Sequence, residues 1–237
     1  MTVGARIAAI RQETPTIRSF TLELEVAGFS FLPGQWVDFY REIGGRAQVA
    51  GYSITSVPSD TRTVELAVKR VGHSLVTRYL HETVAVGDQV YIDGGYGDFN
   101  YTREMGDSVV LIAGGIGITP FLSIIRHIDQ AAPDVRVTLV CSATTPDELL
   151  RREELLDIER RNPNVRCVFT VTRTAGTAWS GHTGRIDGGL LRDAEIDHRA
   201  DENGDRGGRG TSFDHVATPC SRRSGLAGRS GSVACSC

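Results

Sequence analysis

No run of this 237-residue chain stays apolar for anything near the ~20 residues that a membrane-spanning helix needs. The opening stretch MTVGARIAAIRQETP also lacks the apolar core of a secretory signal, so the expectation is a cytoplasmic protein with no membrane span. An excess of one charge is missing too. The formal net charge is −3, which offers no basic surface for nucleic acid. Lysine is almost absent: Lys69 is the only one among 26 basic residues, a skew that points to GC-rich coding rather than to chemistry. The cysteines match no metal pattern. Cys141 and Cys167 sit in strand-like runs and read as small buried hydrophobes, while Cys220, Cys235 and Cys237 crowd the end at spacings that fit no zinc or iron–sulfur site. Their odd total gives no disulfide framework. What is present, 40% hydrophobic and 23% charged, is the make-up of a globular chain with room for one or two domains.

Two grammars follow one another. Residues 1–103 carry short runs of alternating apolar and polar residues (ARIAAIRQ, IRSFTLELEV, QWVDFYREI, GYSIT, TVELAVKRV, DQVYID) punctuated by Pro, Gly, Asp and Ser. Six such strands predict a small antiparallel β-barrel, interrupted by one helix over Ser74–His81 with Leu75, Tyr79 and Leu80 facing inward. Residues 107–190 alternate strand and helix instead: VVLIA, a helix over 120–131, VRVTLVCSA, a Glu-rich helix from about Pro146 to Arg161, then NVRCVFTVTR. That alternation predicts a doubly wound parallel sheet, which binds nucleotides at the carboxyl ends of its strands. The fold class is therefore β followed by α/β. Residues 191–237 lose apolar periodicity and fill with Gly, Arg, Ser and Asp, so disorder is expected there.

The run Val109-Val-Leu-Ile-Ala-Gly-Gly-Ile-Gly-Ile-Thr-Pro120 carries the most chemistry. A buried strand ends in Gly114, Gly115 and Gly117, and Pro120 opens a helix with Phe121, Ile124, Ile125 and Ile128 on one face. Glycines let the backbone turn sharply and come close to an anion. The unpaired N–H groups of the first helical turn then bind it, which makes this a dinucleotide-phosphate turn.

A second motif, Gly51-Tyr52-Ser53-Ile54-Thr55-Ser56, lies downstream of the Pro33-Gly34-Gln35 turn. With the phosphate turn, it resembles the ferredoxin–NADP reductase family of two-domain flavoenzymes, over residues 1 to about 187. The resemblance implies that Tyr52 lies flat against an isoalloxazine ring and that Ser53 hydrogen-bonds near its N5, with Gly51 and Ile54 completing the contact. The family's Arg, which holds the flavin pyrophosphate, corresponds to Ala50; Arg46, Lys69 or Arg70 are the substitutes to hand. Gly72-His73-Ser74-Leu75-Val76-Thr77 resembles a further flavin-phosphate contact through Ser74 or Thr77, with a plain helix cap as the alternative. His73 reads as a surface loop residue rather than a base. Gly94-Gly95-Tyr96-Gly97-Asp98-Phe99 resembles the family's Gly-Pro-x-Gly-x-Phe turn, with Gly95 in the Pro position and a less rigid turn expected. In the second domain the resemblance implies that Thr119 caps the helix and touches the dinucleotide. Ser142 and Arg151 then take the adenosine ribose end, a set inclined to NADPH with NADH open. His182-Thr183-Gly184-Arg185-Ile186 matches a structural turn.

The implied cofactors are FAD, with FMN as the alternative, and NADPH or NADH as co-substrate. The implied activity passes hydride between NAD(P)H and flavin, and then single electrons to a carrier such as ferredoxin. The other readings are a flavin-binding electron-transfer subunit and an inactive truncated or frameshifted product. The last follows from the tail: no family Cys-Gly-Pro strand is seen, none precedes Cys220, and the text changes abruptly near residue 199. No Cys-x4-Cys-x2-Cys run is present, so an iron–sulfur carrier is expected on a separate chain. The reading specifies no oligomeric state.

Overall fold

The computed structural model describes residues 2–72, 74–174, 176, 178–194 and 216–217. It divides into two compact units: residues up to Thr102 together with Thr119–His127, and Arg103–Ile118 with the chain from Ile128 onward.

The first unit holds six antiparallel strands, β1 (Val3–Gln12), β2 (Ile17–Leu24), β3 (Trp36–Ile43), β4 (Arg46–Ser53), β5 (Thr63–Lys69) and β6 (Gln89–Tyr96). Their order is β4-β3-β6-β1-β2-β5, and an antiparallel bridge between Ile54 and Leu66 brings the two ends of that order together, which makes the expected barrel. Alternation does what it predicts. Phe20, Leu22 and Leu24 face inward from β2 and meet Val37, Phe39, Ile54, Leu66, Val90 and Ile92 in one core. Fully burying each such side chain stabilises the unit by roughly 1.5–3 kcal/mol. β4 starts earlier than the sequence suggests. The two-residue Gly44-Gly45 turn closes a tight hairpin with Ile43 opposite Arg46, and that pairing pulls Arg46–Ala50, an unpatterned run, into the sheet.

Between β5 and β6 lies helix α1 (Leu75–Glu82), capped by Ser74. Its inward face differs from the expected one. Leu75 is 39% exposed, while Val76, Tyr79 and Leu80 are buried, because the cap sets the helix phase and rotates Leu75 outward. The Gly94–Phe99 segment also differs. Trp36 pairs with Tyr96 and Val37 with Gly94, so Gly95 is the extra residue of a β-bulge, at φ +76°. Proline, locked near φ −65°, cannot take that conformation, so Gly95 is a different turn rather than a loosened version of the Pro turn. A Cβ added there would lie 2.8 Å from the Ser30 carbonyl oxygen. Gly95→Ala is therefore expected to lower unfolding stability by about 2–3 kcal/mol, read as a lower urea midpoint at unchanged slope.

The second unit is built on a parallel sheet of β7 (Ser108–Gly114), β8 (Arg136–Ala143), β9 (Val165–Val171), β10 (His182–Thr183) and β11 (Val216–Ala217), in the order β10-β9-β8-β7-β11. β7 leads through a 3₁₀ turn (Gly115–Ile118) into α2 (Thr119–Ala131); α3 (Arg152–Arg161) and α4 (Gly188–Asp193) follow. Helices cover both faces. Leu190 and Ala194 pack with Val110, Val140 and Val168, while Cys167 on the opposite side lies within 3.8 Å of the Leu155 carbonyl in α3. This is the doubly wound arrangement expected. Strand order reverses at β7, where nucleotide-binding crevices form in such sheets.

Three local details depart from expectation. The helix expected over Pro146–Arg161 is broken: a short 3₁₀ turn at Pro146–Glu148 is followed by buried Leu149 and Leu150, and Arg151 takes φ +56° before α3 begins. Burying two consecutive leucines there interrupts the helical phase. Helix α4 was not expected; Asp187 starts it by accepting a 2.9 Å hydrogen bond from the Leu190 N–H. A strand does precede Cys220, since β11 pairs in parallel with β7, Val216 opposite Val110. The rest of the expected disordered and frame-shifted tail, including Cys220, Cys235 and Cys237, lies outside the described residues, as does His73. Among the described residues no helix is long and apolar enough to cross a membrane.

Candidate functional site

The Gly51–Ser56 run leaves β4 and turns back toward β5. Tyr52 is half-buried: its ring meets Phe39 edge-on at 6.2 Å, and its hydroxyl lies 3.0 Å from Thr77 Oγ1 on α1. Burial pushes the phenol above its ordinary pKa, against smaller opposing effects from Thr77 and Ser74, so Tyr52 stays protonated near neutral pH. Ser74 Oγ accepts the Thr77 N–H at 3.2 Å, the plain-cap alternative for that residue. Tyr52, Ser74 and Thr77, distant in sequence, thus form one hydroxyl cluster at the start of α1. Ser53, partly exposed, sits opposite Trp36 at the end of β4. Ile54 is different: its side chain is fully buried in the barrel core, and its N–H donates to the Gln35 carbonyl at 3.0 Å.

Gln35 joins the sequence motifs of this unit. Its side-chain oxygen accepts the Leu32 N–H at 2.8 Å and its amide donates to the Gly97 carbonyl at 3.1 Å. The Pro33-Gly34-Gln35 turn, the Tyr52 strand and the Gly94–Phe99 bulge are therefore one connected piece. At the missing guanidinium, Ala50 packs partly against the core. Arg46 lies on the same strand face four residues back, about 14 Å away at the usual strand rise, too far to take over Ala50's place. Lys69 ends β5, Arg70 follows it, and Gly72 comes next but one at φ +64° with open space where a Cβ would stand.

In the second unit, β7 ends at Gly114 on the strand where the sheet order reverses. Gly115 has φ +54°, and a Cβ added at Gly114 or Gly115 would meet nothing within 4 Å. The turn is therefore sharply bent, with room beside both glycines. Thr119 does not cap α2. It is the helix's first residue and is buried; the cap position is Ile118, whose αR angles run on from the 3₁₀ turn without a side-chain cap bond. Pro120 stands in the first turn as expected. The 3₁₀ turn and α2 thus run on as one continuous helical start, with no side-chain cap at Ile118.

At the far end of β8, Ser142 is half-buried and pairs with Gly114 in register. Arg151, at φ +56°, has its side chain 13% exposed and lies 3.7 Å from Glu154. Arg152 pairs with Glu153 at 2.7 Å and stacks its guanidinium over Trp179 at 5.4 Å. Both arginines are engaged. Burial pushes the Cys141 and Cys167 thiols up to about 12, which keeps them protonated; Cys141 is buried as expected, whereas Cys167 is only partly buried. Among the described residues no group of three or more His, Cys, Asp or Glu could hold a metal ion.

Sequence reasoning passed over Ser123, Arg126 and Glu65. The available signal was two polar residues, three apart, inside the apolar run of α2.

Comparison with known proteins finds two domain families in succession along the chain. An oxidoreductase FAD-binding domain matches residues 5–101, and an oxidoreductase NAD-binding domain matches residues 111–205. The glycine betaine monooxygenase reductase subunit of Chromohalobacter salexigens is 33% identical over 191 residues, covering 79% of this chain and 52% of the relative. Oxidoreductase NAD-binding domain-containing protein 1 of Danio rerio is 35% identical over 185 residues, covering 72% of this chain and 67% of the relative. The chain thus spans about half the length of the reductase subunits it matches. A ferredoxin reductase in carbazole 1,9a-dioxygenase shares the fold at TM-score 0.73 and 24% identity, over 92% of this chain and 61% of that one. A ferredoxin NADP+ reductase from Neisseria gonorrhoeae, solved with bound FAD and NADP, does so at TM-score 0.68 and 24% identity, over 82% and 77%.

Proposed function

The chain belongs to the ferredoxin-reductase-like family of FAD- and NAD-binding oxidoreductases, and from that premise we propose that it is a reductase component that draws electrons from NADH and hands them singly to a separate protein carrier. The observation that supports this most is the Gly114–Ile118 turn. It is open, carries a positive-φ glycine and stands on the strand where the sheet order reverses. The barrel supplies the other half through the hydroxyl cluster at α1.

In this reading Tyr52 offers its ring face to the flavin and keeps its hydroxyl on Thr77, so the ring is oriented before anything binds. Ser53 stands next to it to hydrogen-bond at N5. Gly72 and the first N–H groups of α1 receive the flavin phosphates, with Lys69 and Arg70 as nearby charge in place of the guanidinium that Ala50 lacks. Flavin held by these residues would supply the conversion between a two-electron donor such as NADH and a one-electron acceptor. Gly114, Gly115 and Gly117 admit the dinucleotide pyrophosphate, and Thr119 and Pro120 begin the helix whose N–H groups hold it. The protein's task is placement and exclusion of water, with little acid–base chemistry.

The resemblance in sequence inclined to NADPH; the geometry supports NADH. A 2′-phosphate needs an available guanidinium, whereas Arg151 is turned in beside Glu154 and Arg152 is stacked on Trp179 and paired with Glu153. The partner is proposed by chemistry: a one-electron carrier or the oxygenase it serves, because relatives are named as reductase subunits of a monooxygenase. Ferredoxin is one such carrier.

The test is anaerobic. The protein, loaded with FAD, is mixed with NADH or NADPH and the flavin absorption is followed. NADH should bleach it with an apparent efficiency at least roughly tenfold above NADPH, equivalent to about 1.4 kcal/mol. Yellow protein that neither nucleotide bleaches would end the reductase reading, and a preference for NADPH would end the choice of NADH.

A further inference from the structure

Arg126 and Ser123 are polar residues on an apolar helix face, and each donates to the chain that continues from the Tyr52 strand. Ser123 Oγ donates to the Ser56 carbonyl at 2.6 Å. Arg126 Nη1 donates to the Thr55 carbonyl at 2.7 Å and to Glu65 Oε1 at 2.9 Å. The same carboxylate oxygen accepts from Thr55 Oγ1 at 2.8 Å, and Ser56 Oγ accepts the Glu65 N–H at 3.0 Å. Ser123 and Thr55 are fully buried, and the Arg126 and Glu65 side chains are 16% and 21% exposed. All of these residues belong to the barrel unit.

Two consecutive carbonyls, Thr55 and Ser56, are thus held from one helix. A carbonyl bonded to a charged donor in a mostly dry setting cannot rotate without breaking that bond. Thr55 follows directly on Ser53-Ile54, the proposed contact at N5. The helix that holds it begins at Thr119, directly after the phosphate turn. Arg126 and Ser123 together therefore hold the continuation of the Tyr52 strand against this helix.

We propose that Arg126, seated by Glu65 and supported by Ser123, is a positioning residue for hydride transfer: it holds Thr55–Ser56, and through them Ser53, against α2. This rests on the reductase reading above. In this proposal Arg126 acts through the strand it holds and not on a nucleotide. Its removal affects the rate at which a bound pair reacts more than the binding of either member, since a displacement near 1 Å costs roughly 100-fold in rate.

Arg126→Met, which keeps length and loses the charge, is compared with wild-type protein and Arg126→Lys. In Arg126→Met the flavin content and the KM for NADH should stay within about threefold, while the limiting rate of flavin reduction falls roughly 10- to 100-fold and Arg126→Lys restores part of it. In flavin-free protein, amide exchange at residues 52–56 should rise at least about tenfold with no change in β1 and β2. A limiting rate within about threefold of wild type, or a fall no larger than the loss of bound flavin, overturns the proposal. Should Arg126→Met not fold, Ser123→Ala removes a single neutral hydrogen bond and decides the matter. It must raise exchange at 52–56 and slow reduction by about threefold or more, and no slowing overturns the proposal. Wild-type protein that NADH fails to reduce defeats the reductase reading and this inference together. Wild type reduced, with variants reduced as fast, defeats this inference alone.

Discussion

Valine at position 115 is expected to leave flavin in place and abolish its reduction by NADH. Gly115 sits at φ +54°, where a β-branched residue is a backbone outlier costing on the order of 1–3 kcal/mol. In the proposed function the open space beside it is where the pyrophosphate comes close, so any side chain there would stand in the ligand's path. The two effects act together on dinucleotide binding and leave the barrel untouched. We expect the efficiency of flavin bleaching by NADH to fall by at least about 100-fold, some 2.7 kcal/mol, with flavin absorption per protein unchanged. Gly114→Ala is the matched control, because Gly114 is not in the positive-φ region and a Cβ there meets nothing. A milder loss is expected from it. Stopped-flow titration of both variants decides the point: equal losses would mean that backbone conformation at Gly115 is unimportant, and no loss in either would remove the phosphate role from this turn.

Removing the Tyr52 ring is expected to strip the flavin from a barrel that still folds. The ring is only half-buried, so its deletion takes a limited share of the core, while the hydroxyl bond to Thr77 disappears with it. Ser74 still caps α1 through the Thr77 N–H. An aromatic face against a flavin contributes its buried area plus about 0.5–1.5 kcal/mol of ring–ring interaction, so Tyr52→Ala should weaken flavin binding by about tenfold or more. Tyr52→Phe separates ring from hydroxyl. It loses one hydrogen bond of roughly 0.5–1.5 kcal/mol and should keep its flavin, with the ring less firmly oriented. Flavin fluorescence titration of the apo-proteins gives both affinities, and a thermal melt shows that the barrel persists. If the alanine variant retains flavin as tightly as wild type, the assignment of Tyr52 to the flavin face is wrong.

The two sites were legible to different depths. The strand–glycine turn–helix unit at Gly114–Pro120 was readable because all its parts are contiguous: a buried strand, the glycines, Pro120 and the apolar stripe of α2 fall within about twenty residues. Tyr52 and Thr77 were singled out separately by resemblance, yet their hydrogen bond depends on how β4 and α1 pack, which no local pattern encodes. Arg126 was unreadable for the same reason. An arginine on a helix is ordinarily a solvated one, and only the approach of Thr55 and Glu65 leaves it half-buried and bonded to both. The break before α3 misled in the opposite direction. A charge-rich run looks helical throughout, and burial of Leu149 and Leu150 overrode that propensity.

The amino-acid order alone settled the periodicities: two-residue alternation in the barrel strands, helical spacing in α2, and glycines where the phosphate turn bends. These are properties of neighbours along the chain, and sterics with solvent suffice to express them. Only tertiary structure decided the strand order, the Ile54–Leu66 bridge between the two ends of the barrel, the bulge at Gly95 and the engagement of Arg151, Arg152 and Arg126. Each of those depends on groups far apart in sequence whose burial is shared, and a shared burial exists only once the chain has folded.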